Sequence, residues 1–181
     1  MINLDQWNIV NNNPDAWQLR DEQLYVDIAE GNMWGYGGEP KENLFLLPTD
    51  KNSYQAQVNV KLTSKRTFEQ AGIGVFWDKD NYIKFSKEMF NGELSLVFAS
   101  EKDGNPSIVC LVPYSDNKVN LKLEVTGNDV TAYYRNDSRI EWNIVGSTPR
   151  HEGQEQGIML YTFSGSKAQP NRAVFSGFVY Q

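Results

Sequence analysis

The stretch Gln70–Glu88, QAGIGVFWDKDNYIKFSKE, contains two runs of strand-forming residues that meet at a short turn. Ala71–Trp77 and Tyr82–Ser86 are rich in apolar, β-branched and aromatic residues, and Asp78–Asn81 between them carries turn-forming residue types. We therefore predict a β-hairpin. It indicates the fold class, because short runs of the same kind, bounded by turn residues, recur along most of the chain.

Two glycines leave one face of the first hairpin strand bare. Gly72 and Gly74 alternate with Ala71, Ile73 and Val75, so the bulky side chains all point the other way. A bare face permits close approach to the backbone. Its occupant is either a second layer of strands or a ligand such as a sugar ring.

The other runs are also strand-like. Tyr54–Leu62 alternates strictly between apolar and polar residues, which is typical of a half-buried strand. No window sustains the 3.6-residue period of an amphipathic helix. Further strands are predicted around Trp7–Val10, Leu24–Ile28, Leu44–Leu47, Leu94–Phe98, Ile108–Val112, Val119–Val125, Val130–Tyr134, Arg139–Ile144, Ile158–Phe163 and Val174–Tyr180.

These short strands predict an all-β protein, a two-layer antiparallel β-sandwich, formed as a single domain over residues 1–181. No internal repeat or low-complexity linker divides the chain. Glu30–Glu42 and Gly146–Gln156 are predicted to be long loops, and loops of this kind often carry the function of a sandwich.

Composition argues against several partners and sites. The 17 Lys and Arg against 23 Asp and Glu give a net charge of -6, which disfavours nucleic acid. No run approaches the ~20 apolar residues of a membrane span, and the amino terminus lacks a signal-peptide pattern. We expect a cytoplasmic protein unless a signal has been removed. Cys110, the only cysteine, lies in an apolar run and is predicted to be a buried, inert thiol.

The order of motifs resembles a known superfamily. The residues that carry the resemblance are Trp17 with Leu24, Asn43–Leu46, the strand from Tyr54, Gln70–Ile73, Asn81–Lys84, and Gly157, Tyr161, Phe163 and Phe175. They are similar to the concanavalin A-like lectin/glucanase superfamily, in particular DUF1349 proteins and the carboxy-terminal sandwich domain of family 43 β-xylosidases.

This resemblance implies a jelly roll of two antiparallel sheets, one of them concave and often facing carbohydrate. It also implies that the Gln-Ala-Gly strand and the Asn-Tyr-x-Lys strand lie together, as the hairpin predicts. One departure is visible. The xylosidase-type domains tend to end with an Asp beside the final Phe, whereas this chain reads Ala173-Val174-Phe175-Ser176-Gly177-Phe178.

Candidate ligand-binding residues come first from a glycine-rich loop. Trp34 and Tyr36 lie between glycines in GNMWGYGGEP, where they can stack on pyranose rings while Glu39 accepts hydroxyl hydrogen bonds. The alternative is that both aromatic side chains fold back as lids over one end of the sandwich.

A second group of candidates lies on the hairpin. Alternation places Phe76, Tyr82, Lys84 and Ser86 on the face opposite Ile83 and Phe85. Gln70 and Glu88 extend this polar and aromatic surface. The alternative interpretation is that Lys84 and Glu88 form a surface ion pair.

Catalytic and metal sites are not predicted. Strand carboxylates two residues apart, which a retaining glycosidase of this fold would need, are missing, and His151 is expected to be an exposed bystander in a polar loop. We predict no cofactor and no metal. Asp78 and Asp80 in the hairpin turn leave calcium as a weak alternative.

Two functions therefore remain open. The first is a non-catalytic, lectin-like carbohydrate-binding protein. The second is a non-catalytic protein-interaction or regulatory sandwich linked to carbohydrate metabolism. A glycoside hydrolase is the less favoured alternative.

The missing carboxylate pair leads to a prediction about activity. We expect no hydrolysis of aryl glycosides or β-glucans, because the sequence offers no pair of strand carboxylates that could act as general acid and nucleophile. The measurement is a chromogenic glycosidase assay. Turnover that is lost in Glu88→Gln or Glu93→Gln would contradict this expectation.

Overall fold

A computed structural model describes residues 2–40, 42–164 and 169–181. The described residues form fourteen strands and two short 3-10 turns, Leu4–Gln6 and Pro14–Ala16. The strands are β1 (Asn8–Val10), β2 (Trp17–Arg20), β3 (Gln23–Asp27), β4 (Leu44–Leu47), β5 (Tyr54–Lys61), β6 (Gln70–Asp78), β7 (Asn81–Phe90), β8 (Glu93–Lys102), β9 (Asn105–Pro113), β10 (Lys118–Val125), β11 (Asp129–Arg135), β12 (Asn143–Pro149), β13 (Gly157–Phe163) and β14 (Arg172–Tyr180). Within the described ranges, no helix is long and apolar enough to cross a membrane.

The strands make two seven-stranded antiparallel sheets. Sheet A has the order β1-β4-β13-β6-β7-β8-β9, and sheet B has the order β12-β11-β10-β5-β14-β3-β2. The main hydrophobic core lies between them, where residues such as Ile73, Phe85 and Phe98 of sheet A meet Val60 and Leu121 of sheet B. The predicted two-layer antiparallel sandwich, with a jelly-roll arrangement, is confirmed.

The predicted hairpin forms and is longer than expected. β6 and β7 pair from Gln70 opposite Glu88 to Asp78 opposite Asn81, with an irregularity between Phe76 and Asp78. Both strands are buried on their two faces. This explains why their sequences lack the apolar and polar alternation of Tyr54–Leu62: a strand covered on both sides has no face for water.

The bare face of β6 is filled by its own sheet. Gly72 and Gly74 point away from sheet B, and the antiparallel neighbours pass very close to them. A Cβ atom on Gly72 would lie 2.2 Å from the Phe85 carbonyl oxygen, and one on Gly74 would lie 2.4 Å from Met159 Cε. The glycines therefore permit tight packing across strands, and neither sheet B nor an open surface occupies this space.

Several sequence predictions need correction. β12 includes Gly146–Pro149, which was predicted to be loop, and the predicted strand from Arg139 begins only at Asn143. Lys41, in the predicted loop Glu30–Glu42, lies outside the described residues. Cys110 is half-buried and not fully buried, because β9 is the last strand of sheet A and has a neighbour on one side only.

The close approach at Gly72 gives a stability prediction. Gly72→Ala should lower the free energy of unfolding by about 1–3 kcal/mol, because the new methyl group meets backbone atoms that cannot move away easily. Gly146→Ala is the matched control, since its nearest contact would be an ordinary 3.7 Å. Urea denaturation measures both, and equal effects at the two positions would contradict the prediction.

Candidate functional site

The outer face of sheet A, which points away from sheet B, carries an ordered array of side chains. The pairing of β13, β6, β7 and β8 aligns outward residues in rows across the strands. The rows are Phe76, Tyr82 and Glu101; Met159, Gly74, Lys84 and Ala99; Tyr161, Gly72, Ser86 and Val97; and Phe163, Gln70, Glu88 and Ser95. Polar and aromatic groups distant in sequence thus meet on one surface.

The loop before β4 covers the first of these rows. Met33 packs in a second apolar cluster with Phe76 and Tyr82. The Tyr82 hydroxyl lies 2.6 Å from Glu101 Oε2 and 2.8 Å from the Met33 carbonyl oxygen, and the Gly35 N–H donates to Glu101 Oε2 at 2.9 Å. These bonds hold the loop on the sheet and place Trp34 over the neighbouring row.

A cavity of about 380 Å³ opens over the remaining rows. Its walls are largely apolar, and its floor is formed by buried polar side chains of β6 and β7. The lining residues are Asn32, Trp34, Phe68, Gln70, Lys84, Glu88, Phe90, Val97, Ile108, Phe163 and Ser164. Apolar walls with a few convergent polar groups are typical of a small-molecule site.

The floor is a connected network of hydrogen bonds. Lys84 Nζ donates to Gln70 Oε1 at 2.5 Å and lies 3.7 Å from Glu88 Oε1. Gln70 Nε2 donates to Glu88 Oε2 at 2.9 Å, and the Ser86 hydroxyl donates to Glu88 Oε1 at 3.1 Å. The Tyr161 hydroxyl adds a bond of 3.3 Å to Gln70 Oε1. Lys84 and Glu88 therefore each have polar partners although both side chains are only 2% exposed.

Three aromatic rings surround the Lys84 ammonium group. Nζ lies 5.3 Å from the centre of the Trp34 ring, 5.6 Å from that of Phe163 and 6.0 Å from that of Tyr161. A cation near the face of an aromatic ring is attracted by the ring's electron density. The protein thus places its own cation in an aromatic cage at the base of the cavity.

Burial shifts the pKa of both charged floor residues towards their neutral forms. Burial lowers the pKa of Lys84, while the carboxylates of Glu88 and Glu101 act in the opposite direction. Burial also raises the pKa of Glu88, and the attraction of Lys84 offsets part of this rise. The alternative of a surface ion pair between Lys84 and Glu88 is wrong, because the loop and the aromatic walls cover both side chains.

The predicted site residues fall into three groups. Trp34, Gln70, Lys84 and Glu88 line the cavity together.

Phe76 and Tyr82 lie beside the cavity, buried beneath Met33, and act as packing residues. Tyr36 and Glu39 lie outside the cavity. Tyr36 is 89% exposed and sits against the turn at Gly104, and the Glu39 N–H pairs with the Asn32 carbonyl oxygen. Of the two aromatic residues predicted to bind in this loop, Trp34 therefore lines the cavity and Tyr36 points to solvent.

Apart from Trp34, the aromatic walls of the cavity were not among the predicted site residues. Phe68 precedes Gln70 by two residues and Phe90 follows Glu88 by two, so strand parity would have placed both on the same face as the floor. Their rings meet edge to face at 5.8 Å. Phe163 and Tyr161 had no such signal, because only the pairing of β13 with β6 brings them to the site.

A second, more polar cleft of about 320 Å³ lies beside the hairpin turn. His151 lines it, half-buried, with its ring edge-on to Trp77 at 4.9 Å and Nε2 3.2 Å from the Ser100 hydroxyl. The prediction that His151 is exposed is therefore wrong. Burial and the nearby Lys102 lower the pKa of His151. Across the described part of the chain, no three His, Cys, Asp or Glu side chains are grouped to hold a metal ion.

The buried pair leads to a double-mutant prediction. Lys84→Met and Glu88→Gln should each lower the free energy of unfolding by about 3–5 kcal/mol, since each removes the adjacent counter-charge of a buried partner. The double variant should lose clearly less than the sum of the two. Thermal and urea unfolding measure the free energies of unfolding of the wild type, the two single variants and the double variant, which together form a double-mutant cycle.

The control cycle uses the more exposed pair of Lys122 and Glu124, which are 2.9 Å apart. There each single change should cost about 0–1 kcal/mol. Strictly additive losses at Lys84 and Glu88 would show that the two side chains are not coupled.

Solved structures with the same fold include several carbohydrate-related proteins. GH43 BlXynB from Bacillus licheniformis superposes with a TM-score of 0.83 at 19% identity, over 97% of this chain and 36% of that one. The chain thus spans about a third of the length of the GH43 proteins it matches. The carbohydrate binding module CBM66 from Bacillus subtilis has a TM-score of 0.68 at 16% identity, covering 100% of this chain and 98% of that one.

A functionally unknown protein from Saccharomyces cerevisiae matches along its whole length. Its TM-score is 0.78 at 16% identity, with 99% of this chain and 98% of that one covered. At these identities the similarities show the fold alone. No curated protein matches the sequence. The family described as "Protein of unknown function (DUF1349)" matches residues 11–175, and the chain therefore belongs to the DUF1349 family.

Proposed function

We propose that this protein is a non-catalytic carbohydrate-binding sandwich and that the sheet A cavity is its sugar site. The observation that carries the proposal is the combination of aromatic walls with a buried polar floor in one cavity of about 380 Å³. Sugar rings present apolar C–H faces and polar hydroxyl edges. A site that offers both surfaces matches this chemistry.

The walls and the floor have separate roles in this proposal. Trp34 and Phe163 stand over the floor and can pack against the C–H face of a ring. Lys84 donates hydrogen bonds, and Glu88 accepts them. Because both are held by the network before any ligand arrives, a sugar binds without the cost of ordering them.

The comparisons support the same class of function. CBM66 is a carbohydrate binding module and the GH43 proteins are glycoside hydrolases of which this fold makes up about a third. Their similarity to this chain is one of fold. The choice of carbohydrate as the ligand therefore depends on the chemistry of the cavity itself.

The absence of catalysis is proposed from the carboxylates. Among the described residues that line the cavity, Glu88 is the only Asp or Glu. Glycoside hydrolysis uses two carboxyl groups that flank the bond to be broken. Glu88 also accepts bonds from Gln70 and Ser86, which commits it to the floor.

A protein-interaction function is the second candidate. β9 is the edge strand of sheet A, and no charged residue occurs from Asn105 to Pro113. Ile108 and Leu111 on this strand are 37% and 43% exposed. An uncharged edge strand with exposed apolar residues favours pairing with a strand of another protein.

Aromatic substitutions test the proposed sugar site. Once a ligand is identified on a glycan array, Trp34→Ala should weaken its binding by about 1–3 kcal/mol, because a stacking surface is lost. Tyr36→Ala is the matched control and should bind normally, since Tyr36 lies outside the cavity. Calorimetric titration measures both.

Tyr82→Ala separates packing from binding. Tyr82 is fully buried, so its loss should lower the free energy of unfolding by about 3–5 kcal/mol, as measured by thermal unfolding. The proposal would be wrong if the glycan array found no ligand, or if Trp34→Ala bound the ligand as tightly as the wild type.

A further inference from the structure

Resting on the proposed function, we infer that the cavity selects a neutral sugar ring with two adjacent hydroxyl groups. Lys84 and Glu88 contact these hydroxyls, and the site rejects sugar acids and amino sugars. The cavity floor places one buried ammonium group and one buried carboxylate beside an amide whose hydrogen-bonding sites are all occupied. This arrangement supports the specificity.

The amide of Gln70 has no capacity left for a ligand. Its Nε2 donates to the Phe68 carbonyl oxygen at 3.0 Å and to Glu88 at 2.9 Å. Its Oε1 accepts from Lys84 and Tyr161. A side-chain amide has two N–H donors and two oxygen lone pairs, and all four are used. Gln70 therefore acts as a positioning residue for the two charged groups.

Lys84 and Glu88 keep free capacity on the cavity side. An ammonium group has three N–H donors, and among the described residues those of Lys84 have two oxygen partners, Gln70 and Glu88. A carboxylate offers about four acceptor sites, and Glu88 takes bonds from Ser86 and Gln70 besides its contact with Lys84. The site thus has one donor and one acceptor to offer.

These two free positions fit a pair of neighbouring hydroxyls. Lys84 Nζ and Glu88 Oε1 are 3.7 Å apart, so groups on adjacent ring carbons can reach both at once. One hydroxyl accepts from Lys84 and the other donates to Glu88. A ligand that lacks either hydroxyl leaves one donor of Lys84 or one acceptor site of Glu88 unpaired in a buried place, which is costly.

The charges around the floor disfavour an acidic ligand. The Lys84 ammonium group already has the Glu88 carboxylate 3.7 Å away, and the Glu101 carboxylate lies in the neighbouring row, where it is bound to Tyr82. A uronate would bring a third carboxylate into a buried, apolar-walled space. One ammonium group cannot compensate three carboxylates, and burying a charge that is not fully compensated is strongly unfavourable.

An amino sugar is disfavoured for a different reason. The place where aromatic rings would stabilise a ligand cation is taken by Lys84, which lies within 5.3–6.0 Å of Trp34, Phe163 and Tyr161. A second ammonium group would meet Lys84 as a like charge. The site is thus matched to a ligand without net charge.

Calorimetric titration of the wild-type protein tests this specificity. Glucose, galactose, xylose and fructose are compared first. The tightest of these is then compared with a uronic acid, an amino sugar and a deoxy analogue of the same ring type. The neutral sugar should bind at least tenfold more tightly than each of the three. Because these are ligand variants, the test does not depend on a mutant that folds.

Protein variants then assign the charged residues. Glu88→Gln should lower the ratio of the affinity for the neutral sugar to the affinity for the uronate, because it removes one of the negative charges at the floor. If Glu88 had only a structural role, this ratio would not change. Lys122→Met, a change at an ion pair on sheet B, is the matched control and should keep the wild-type preference.

Different outcomes would overturn this inference alone or the proposed function as well. Binding of the uronate, the amino sugar or the deoxy analogue as tightly as the neutral sugar would overturn the inference alone, and so would an unchanged preference in Glu88→Gln. Failure of every sugar in the panel to bind would overturn both the proposed function and the inference.

Discussion

The antiparallel register of β6 with β7 is the constraint on which the site depends. It places Gln70 opposite Glu88, Gly72 opposite Ser86 and Gly74 opposite Lys84. A shift of one residue would turn Lys84 and Glu88 into the core between the sheets, where the network could not form. The glycines contribute to the same arrangement, because larger residues at these positions would collide with the neighbouring backbone and with Met159.

Burial of the charged floor has a cost that the network reduces. Lys84 and Glu88 each lose contact with water, which moves the pKa of each towards the neutral form. Gln70 joins them through both ends of its amide, so neither charge lacks a hydrogen-bond partner. Replacing a buried ion pair by apolar residues is often neutral or stabilising, so the pair is consistent with the proposed binding role and is weak evidence for a role in stability.

The fold and the site carry different information. Membership of the DUF1349 family and the shared sandwich of the GH43 and CBM66 structures establish the architecture. The same sandwich supports unrelated functions, so the ligand has to be argued from the side chains present. In this chain those are the aromatic walls, the caged lysine and the one carboxylate among the described residues that line the cavity.

Local sequence determined the strands, the hairpin and the face on which Gln70, Lys84 and Glu88 lie, because side-chain direction alternates along a strand and short turns pair neighbouring runs. It also identified Trp34 as a candidate. Only the tertiary structure decided that Lys84 and Glu88 are buried, that Phe163 and Tyr161 reach them from β13, and that Tyr36 points to solvent. The reason is physical. Burial and long-range pairing depend on which strands and loops cover a surface, whereas period-two alternation gives only the direction of side chains along one strand.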